Sequence, residues 1–427
     1  MLRRVSASLA ERRGLRLFTF CVLYCAQGIP WGFTAITLPA LLADRHMEAK
    51  AIGTVVAMTT LPYTFKLVWG PVIDALPFGR FGRRRPWIII AQAMMALTIL
   101  AMILLPELIE DISLLAAMVF VNTMFSSIQD VATDALAVDL LDEDERGRTN
   151  GFMYASKYFG GLLGGKGISY LIDWTSLRGA LIVQGGALLV IMLVPLLVRE
   201  QPAGAAPAPA RVPGERWREL RAFFASKTIV AAMLGAVVML LSNLAGGLLS
   251  VAAPVLFTQD LQWSVDDYLS LAGGWGVLIG AAGSVLGGLL ADRVGHKRLA
   301  ILGALALAAY WLVWAALARY WGDRDLVYAI FWIEPLCQSV MVVSLFAICM
   351  DLSWPKIAAS QFGTYMALAN FSTTTGAKYA GVATDHLTFT GVYIAAAVLQ
   401  AVMIGALLFV DTKAVRTALP VAETKST

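Results

Sequence analysis

Apolar residues along this chain gather into long runs separated by short polar breaks. A run of about 20 residues is long enough to cross ~30 Å of hydrocarbon as a helix. Twelve such runs are expected to do so, at 18–43, 50–73, 86–106, 112–138, 148–173, 178–198, 228–257, 266–291, 297–319, 325–351, 360–384 and 388–410. Between the sixth and the seventh the texture changes: residues 201–227 contain PAGAAPAPARVPGE, followed by the basic, amphipathic WRELRAFF. That composition reads as a linker with a short helix lying on the membrane surface. The expected architecture is an all-α integral membrane protein of twelve transmembrane helices. Six lie in residues 1–200, a cytoplasmic linker fills 201–227, and six more lie in 228–427.

Composition agrees with the pattern. Of 427 residues, 59% are hydrophobic and only 15% charged, with mean hydropathy +0.71. One soluble core could not hold so much apolar surface, so much of it must face lipid. The basic opening, Met1 to Arg16, precedes a run of spanning length with no small-residue cleavage site, so a first span is expected there instead of a cleaved leader. Cys21, Cys25, Cys337 and Cys349 all fall in apolar runs and read as small core residues. The net charge of +4 matters less than where the charges sit. With both termini inside, the cytoplasmic segments hold 24 of the 33 Lys and Arg residues and the outer loops hold 5. That asymmetry sets the topology.

The halves repeat. GPVID (70–74) and GRRR (82–85) in the first half correspond to GLLAD (288–292) and RVGHKR (293–298) in the second. At a constant offset of 212, Asp139 matches Asp351, Gly151 Gly363, Gly164 Gly376, Lys166 Lys378 and Asp173 Asp385. A parallel repeat of two six-helix halves, with Gly-x-x-x-Asp and a basic loop, resembles the major facilitator transporters, which implies a substrate site between the halves near the midplane. The repeated loops read as gating latches. Their expected members are Asp74, Arg83, Arg84, Asp139 and Arg146 in the first half. In the second they are Asp292, Arg293, Lys297, Arg298 and Asp351.

Ionisable residues inside spans are costly and therefore functional candidates. Lys66 lies about 12 Å deeper than Asp74 on the second helix, while Asp130 and Asp134 share one face of the fourth at i and i+4. Two acids sharing one lysine make either a structural ion pair or a site with one carboxylate free to carry a proton. Glu334, beside Pro335 in the tenth helix, is a second proton-coupling candidate, with Lys157 of the fifth as its partner across the interface or as an anchor for an anionic substrate. Lys166 and Lys378, near the outer ends of helices five and eleven, either snorkel to headgroups or line an electropositive outer vestibule. Gln27, Gln129, Tyr154, Asn243, Gln338 and Asn370 join Lys66 and Lys157 as candidate substrate-binding residues.

The segment LPYTFKLVWGPVIDALPFGRFGRRRPWIIIAQ (61–92) is more specific. With FSSIQDVATDALAVDLLDEDERGRTNG (125–151), it resembles the AmpG-type muropeptide permeases and the related acetyl-CoA transporters over residues 24–165. The resemblance marks Lys66, Asp74, Arg83, Arg84, Gln129, Asp130, Asp134, Glu145 and Arg146 as family positions. It implies proton-coupled import of anhydromuramyl-peptide fragments across the bacterial inner membrane. A siderophore, sugar or acyl-CoA-like anion carrier, importing or exporting, or a transporter-derived receptor, is the alternative. The spans offer no histidine cluster, metal set or phosphate loop, so an enzyme is not expected. Nor is any cofactor or nucleic-acid partner. The expected partners are protons, a small-molecule substrate and the lipid bilayer, around a monomer.

The charge asymmetry gives a direct test of topology. Alkaline phosphatase fused within the loop holding Arg178 should be active in the periplasm, and the same reporter fused after Lys356 should be silent; the reverse pattern would refute the assignment.

Overall fold

The computed structural model describes residues 8–76, 82–105, 111–141, 143–200, 229–353 and 358–412. The linker expected at 201–227 lies outside the described residues, and so do the side chains of Asp74, Glu145, Arg146 and Asp292. Apart from one isolated bridge between Ser8 and Arg199, the regular elements among the described residues are helical.

They form rods here numbered in chain order. The first is α1 (Arg13–Asp44). Then come α2 (Ala49–Thr60, Leu61–Phe65, Lys66–Ala75), α3 (Arg85–Ile103), α4 (Ile112–Leu140), α5 (Glu143–Leu162, Leu163–Gly167, Ile168–Trp174) and α6 (Leu177–Leu197). After the linker come α7 (Ile229–Asp260), α8 (Val265–Leu269, Ser270–Gly276, Val277–Val294), α9 (His296–Ala316) and α10 (Arg324–Asp351). The last are α11 (Ala358–His386) and α12 (Phe389–Leu408).

Ten of these rods are long and apolar enough to cross a membrane. The exceptions, α5 and α11, correct the expectation of twelve apolar spans. α5 opens on a charged turn and carries Lys157 and Lys166; α11 is threaded with Ser and Thr and carries Lys378. The reason is their packing. α5 lies against α1 and α8, and α11 lies against α7 and α2. A helix walled by protein on several sides does not need an apolar surface all round.

The helix contacts repeat between the two parts of the chain. α1 packs on α5 as α7 does on α11, α3 on α4 as α9 on α10, and α3 on α6 as α9 on α12. Glycine makes the closest of these contacts possible. A Cβ on Gly164 would collide with the Ile29 backbone, and one on its counterpart Gly376 would lie 2.8 Å from the Leu248 amide nitrogen. In both places two helix backbones touch directly.

The halves meet through α2–α11, α5–α8 and α1–α7. Contacts joining them gather toward the rod ends remote from the termini. Thr60 and Thr374 hydroxyls are 2.7 Å apart, and Gln259 Nε2 donates to the Ala43 and Met47 carbonyls at 2.8 and 3.1 Å. Each of the four rods α1, α5, α7 and α8 widens there into a π turn, at Phe33–Thr37, Leu163–Gly167, Leu256–Asp260 and Ser270–Gly276. Pro30 and Pro254 precede the turns in α1 and α7, and in each rod a threonine hydroxyl one turn on donates to the proline carbonyl at 2.8 Å. A proline removes a backbone donor and loosens the ladder, so the wider turn follows from the sequence.

At the opposite end a carboxylate organises the first half. Glu200 accepts the backbone N–H groups of Arg83, Arg84 and Arg85 at 2.5, 2.7 and 3.2 Å, capping the N-terminus of α3. Gly82 stands at φ +106° directly over that carboxylate, a conformation that only glycine adopts without strain. Chain residues 9 and 10 donate to the carbonyls of Arg199 and Glu200, tying the N-terminal segment to the same point. Glu200→Ala should therefore lower the stability of the purified protein by about 1–2 kcal/mol, the usual cost of a lost helix cap. A melting temperature equal to that of the unaltered chain would show that the cap carries no weight.

Candidate functional site

The buried charges of the first half converge. Lys66 sits at the start of the last segment of α2, just after the short Leu61–Phe65 turn, and its ammonium donates to Asp130 Oδ2. Lys157 of α5 approaches Asp130 Oδ1 at 4.0 Å. Asp134, one turn further along α4, accepts the hydroxyl of Tyr24 from α1. The aromatic rings complete the enclosure. Tyr24 and Tyr154 meet edge to face at 5.8 Å, and Tyr63 presents its ring to Lys66 at 5.3 Å and to Lys157 at 5.7 Å. Asp130 is sealed at 4% side-chain exposure, while Lys66 and Lys157 keep 20% and 26%. Asp130 lies beneath the two ammonium groups, and Asp134 is half-buried like the lysines.

The sequence offered Lys66 either Asp130 or Asp134 as partner, and the structure pairs it with Asp130. Lys157 goes elsewhere than expected. It joins Asp130, whereas Glu334 is held by Trp311 Nε1, which donates to Oε1 at 3.0 Å. Tyr268, Tyr310 and Tyr393 lie within electrostatic reach of that carboxylate. Among the described residues no lysine or arginine pairs with Glu334, so the second half holds a carboxylate in an aromatic cage. Depth along a helix was readable from the sequence, but the direction around it was not. Lys157 points toward α4 and not across to α10.

The other candidates divide. Gln27 and Gln129 are fully buried within the first half, away from the cleft. Gln129 Nε2 donates to Gln92 Oε1 at 2.9 Å and to the Leu23 carbonyl at 3.4 Å. Gln338 and Asn243 face one another at 3.4 Å between α10 and α7, while Asn370 spends its amide on its own helix at Met366, 2.9 Å away. Tyr154 is exposed. Lys166 lines no open vestibule; it is buried and bonded to Asp266 at the start of α8, with the Tyr170 ring 4.4 Å away. Lys378 is exposed. Asp266 escaped the sequence reading because Ser264-Val-Asp-Asp looks like an ordinary helix start, and the serine does cap the helix.

Among the latch residues, Arg84 Nε donates to Asp139 at 3.1 Å, and His296 Nδ1 lies 2.7 Å from Asp351. Arg85 donates to the Pro195 and Leu196 carbonyls at 2.6 and 2.7 Å, and Lys297 to those of Leu408 and Val410 at 2.8 and 2.7 Å. Arg84 with His296, Asp139 with Asp351, and Arg85 with Lys297 all stand 212 positions apart, the offset visible in the sequence. These pairs stay within their own halves. Arg293 and Arg298 are exposed at the same end.

Removing one partner of a buried ion pair strands the other charge. Lys66→Met should destabilise the protein by about 3–5 kcal/mol, the range for such a loss, and Lys66→Met combined with Asp130→Leu should recover most of it. A double variant no more stable than the single one would separate the two residues energetically.

Similar proteins place this arrangement in context. The chain is 26% identical over 353 residues to the "Anhydromuropeptide permease" of Escherichia coli (strain K12), covering 82% of this chain and 70% of that one. To the "Putative transporter AmpG 4" of Rickettsia conorii it is 23% identical over 412 residues, covering 93% and 97%. Among solved structures, a D-xylose-proton symporter superposes with a TM-score of 0.70 at 14% identity, covering 93% of this chain and 99% of that one. A bacterial homologue of the lysosomal transporter Spinster, inward-facing and unoccupied, gives 0.66 at 14%, covering 95% and 97%. The sequence itself matches the Major Facilitator Superfamily over residues 20–244 and 235–426, and the chain, a multi-pass membrane protein, belongs to that superfamily.

Proposed function

We propose that this chain is a proton-coupled secondary transporter that moves a polar small molecule across the inner membrane by alternating access. In this reading all twelve rods span the bilayer as two pseudo-symmetric six-helix bundles, with both termini cytoplasmic. The contacts between halves at the outer ends then make this an inward-open state.

One observation carries the reading, the cluster of four charges at Lys66, Lys157, Asp130 and Asp134, with Asp130 sealed beneath the two lysines. Fully ionised, they cancel. Asp134 is held by a tyrosine hydroxyl and not by a cation, so it is the acid whose protonation costs no ion pair. A proton there leaves one net positive charge, which an anionic group on the solute would neutralise. Each ligand then favours the other, and the coupling is reciprocal. Glu334 supplies a second buried carboxylate for the same task in the other half.

The solute classes that fit are sugars, siderophores and acyl-CoA-like anions. A cell-wall sugar-peptide is a further reading, favoured by the 82% of this chain that aligns with a protein named for anhydromuropeptide transport. Uptake of labelled anhydromuropeptide, ferric siderophore and simple sugar into cells lacking their own permeases separates these. Import of one of them, abolished by dissipating the proton gradient and cut at least tenfold by Asp134→Asn, is the expected result. Import that survives Asp130→Asn, Asp134→Asn and Glu334→Gln would overturn the coupling, and failure of the first solute beside success of another would exclude the muropeptide.

A further inference from the structure

The helix that carries the two acids is polar well beyond them. From Asn122 to Asp134, about 18 Å of α4, there is a polar side chain on nearly every turn facing the interior: Asn122, Ser126, Ser127, Gln129 and Asp130. All are at most 3% exposed. Several of their atoms have no partner. Asn122 Oδ1, Ser127 Oγ and Gln129 Oε1 are unpaired, and so are both amide atoms of Gln27 on the neighbouring α1.

The amide orientations are fixed by their other bonds. Asn122 Nδ2 donates to the Met95 carbonyl at 2.9 Å and to Thr98 Oγ1 at 2.7 Å, so the atom left over is an acceptor. Gln129 Nε2 is likewise committed to Gln92 and Leu23. Bare acceptors in the interior of a membrane protein cost several kcal/mol each. Beside Asn122 lies a void with room for about one water molecule, bordered by Thr34, Thr59, Tyr63 and Ser126. Tyr63 and Ser126 hydroxyls are 2.8 Å apart, and the Tyr63 ring touches both lysines of the charged cluster. Thr59 adjoins Thr60, which closes the outer contact between the halves on Thr374. The void therefore adjoins both the contact between the halves, through Thr59, and the charged cluster, through Tyr63.

The geometry points to an ordered-water site beside α4, held by Asn122, Ser126, Thr34, Thr59 and Tyr63, that forms the outer leg of the proton's route to the charged cluster. Water fits where a bare cation does not, because the lining offers hydroxyl donors as well as oxygen acceptors. A proton arriving through the opened outer seal passes along these waters to the Asp134 carboxylate and leaves toward the cytoplasmic cleft. The assignment of the route rests on the reading of Asp134 as proton carrier; the water site itself does not.

Two measurements test it, both on the full chain in liposomes. Hydroxyl-radical footprinting uses water itself as the probe. Tyr63, only 8% exposed, should be labelled as readily as an exposed tyrosine, while Tyr310, 7% exposed and not lining the void, stays unlabelled. Asn122→Leu should reduce labelling of Tyr63 at least fivefold, and Asn122→Ser should retain it. An inert Tyr63 in the unaltered protein would overturn the site. The second measurement compares gradient-driven uptake of whichever of the three labelled solutes the cells import with its exchange at equal pH. Asn122→Leu should slow the first at least tenfold and leave the second within twofold. Labelling that behaves as expected beside unimpaired gradient-driven uptake would make the water structural and refute the route. Gradient-driven uptake persisting in Asp134→Asn would instead sink the coupling residue and leave the water site standing.

Discussion

Hydrocarbon offers buried charge no solvent, and that constraint governs the structure. Every ion in the membrane interior must find its partner within the protein, because leaving it bare costs more than a marginally stable fold can lose. Asp130 meets it with two lysines, Lys166 with Asp266, and Glu334 with an indole N–H. Each solution draws on a different helix, so satisfying the charge also fixes how the helices sit. α5 shows this twice. Lys157 ties it to α4 inside the first half, and Lys166 ties it to α8 of the second.

These two attachments differ in kind. The first joins two helices of the first part of the chain, and the second joins helices from its two parts. In the proposed alternating-access cycle the first is a bond that survives and the second one that breaks, and one helix holds both.

Much of this was legible in the sequence, in proportion to how local the signal was. The helices showed as apolar runs, and the duplication as matched residues at one offset that the structure converts into matched bonds at Arg84–Asp139 and His296–Asp351. That Lys66 meets one of the two acids followed from depth and from their i, i+4 spacing; that the one is Asp130 did not. What depends on direction around a helix was not legible. Lys157 reads in the sequence as a partner for Glu334 or a substrate anchor, and Gln27 and Gln129 as cleft residues, because a position along the chain fixes height and leaves azimuth open. Glu200 and Asp266 were invisible for another reason. Both stand at helix ends, where acids are common and usually solvated, and only the fold brings a helix N-terminus to one and a buried lysine to the other.

The outer contact between α5 and α8 has a mechanical consequence. Beside the Lys166–Asp266 pair, the surfaces that meet are nearly bare backbone: a Cβ on Gly165 would lie 3.4 Å from the Gly273 carbonyl oxygen. Smooth backbone faces have no interlocked rotamers to unthread, so they separate without any side chain having to repack. The resistance to opening is then concentrated in one ion pair and a few hydrogen bonds, which act as a catch on an otherwise frictionless door. Such a joint can be firm at rest and still fast, because its strength and its sliding surface are supplied by different residues.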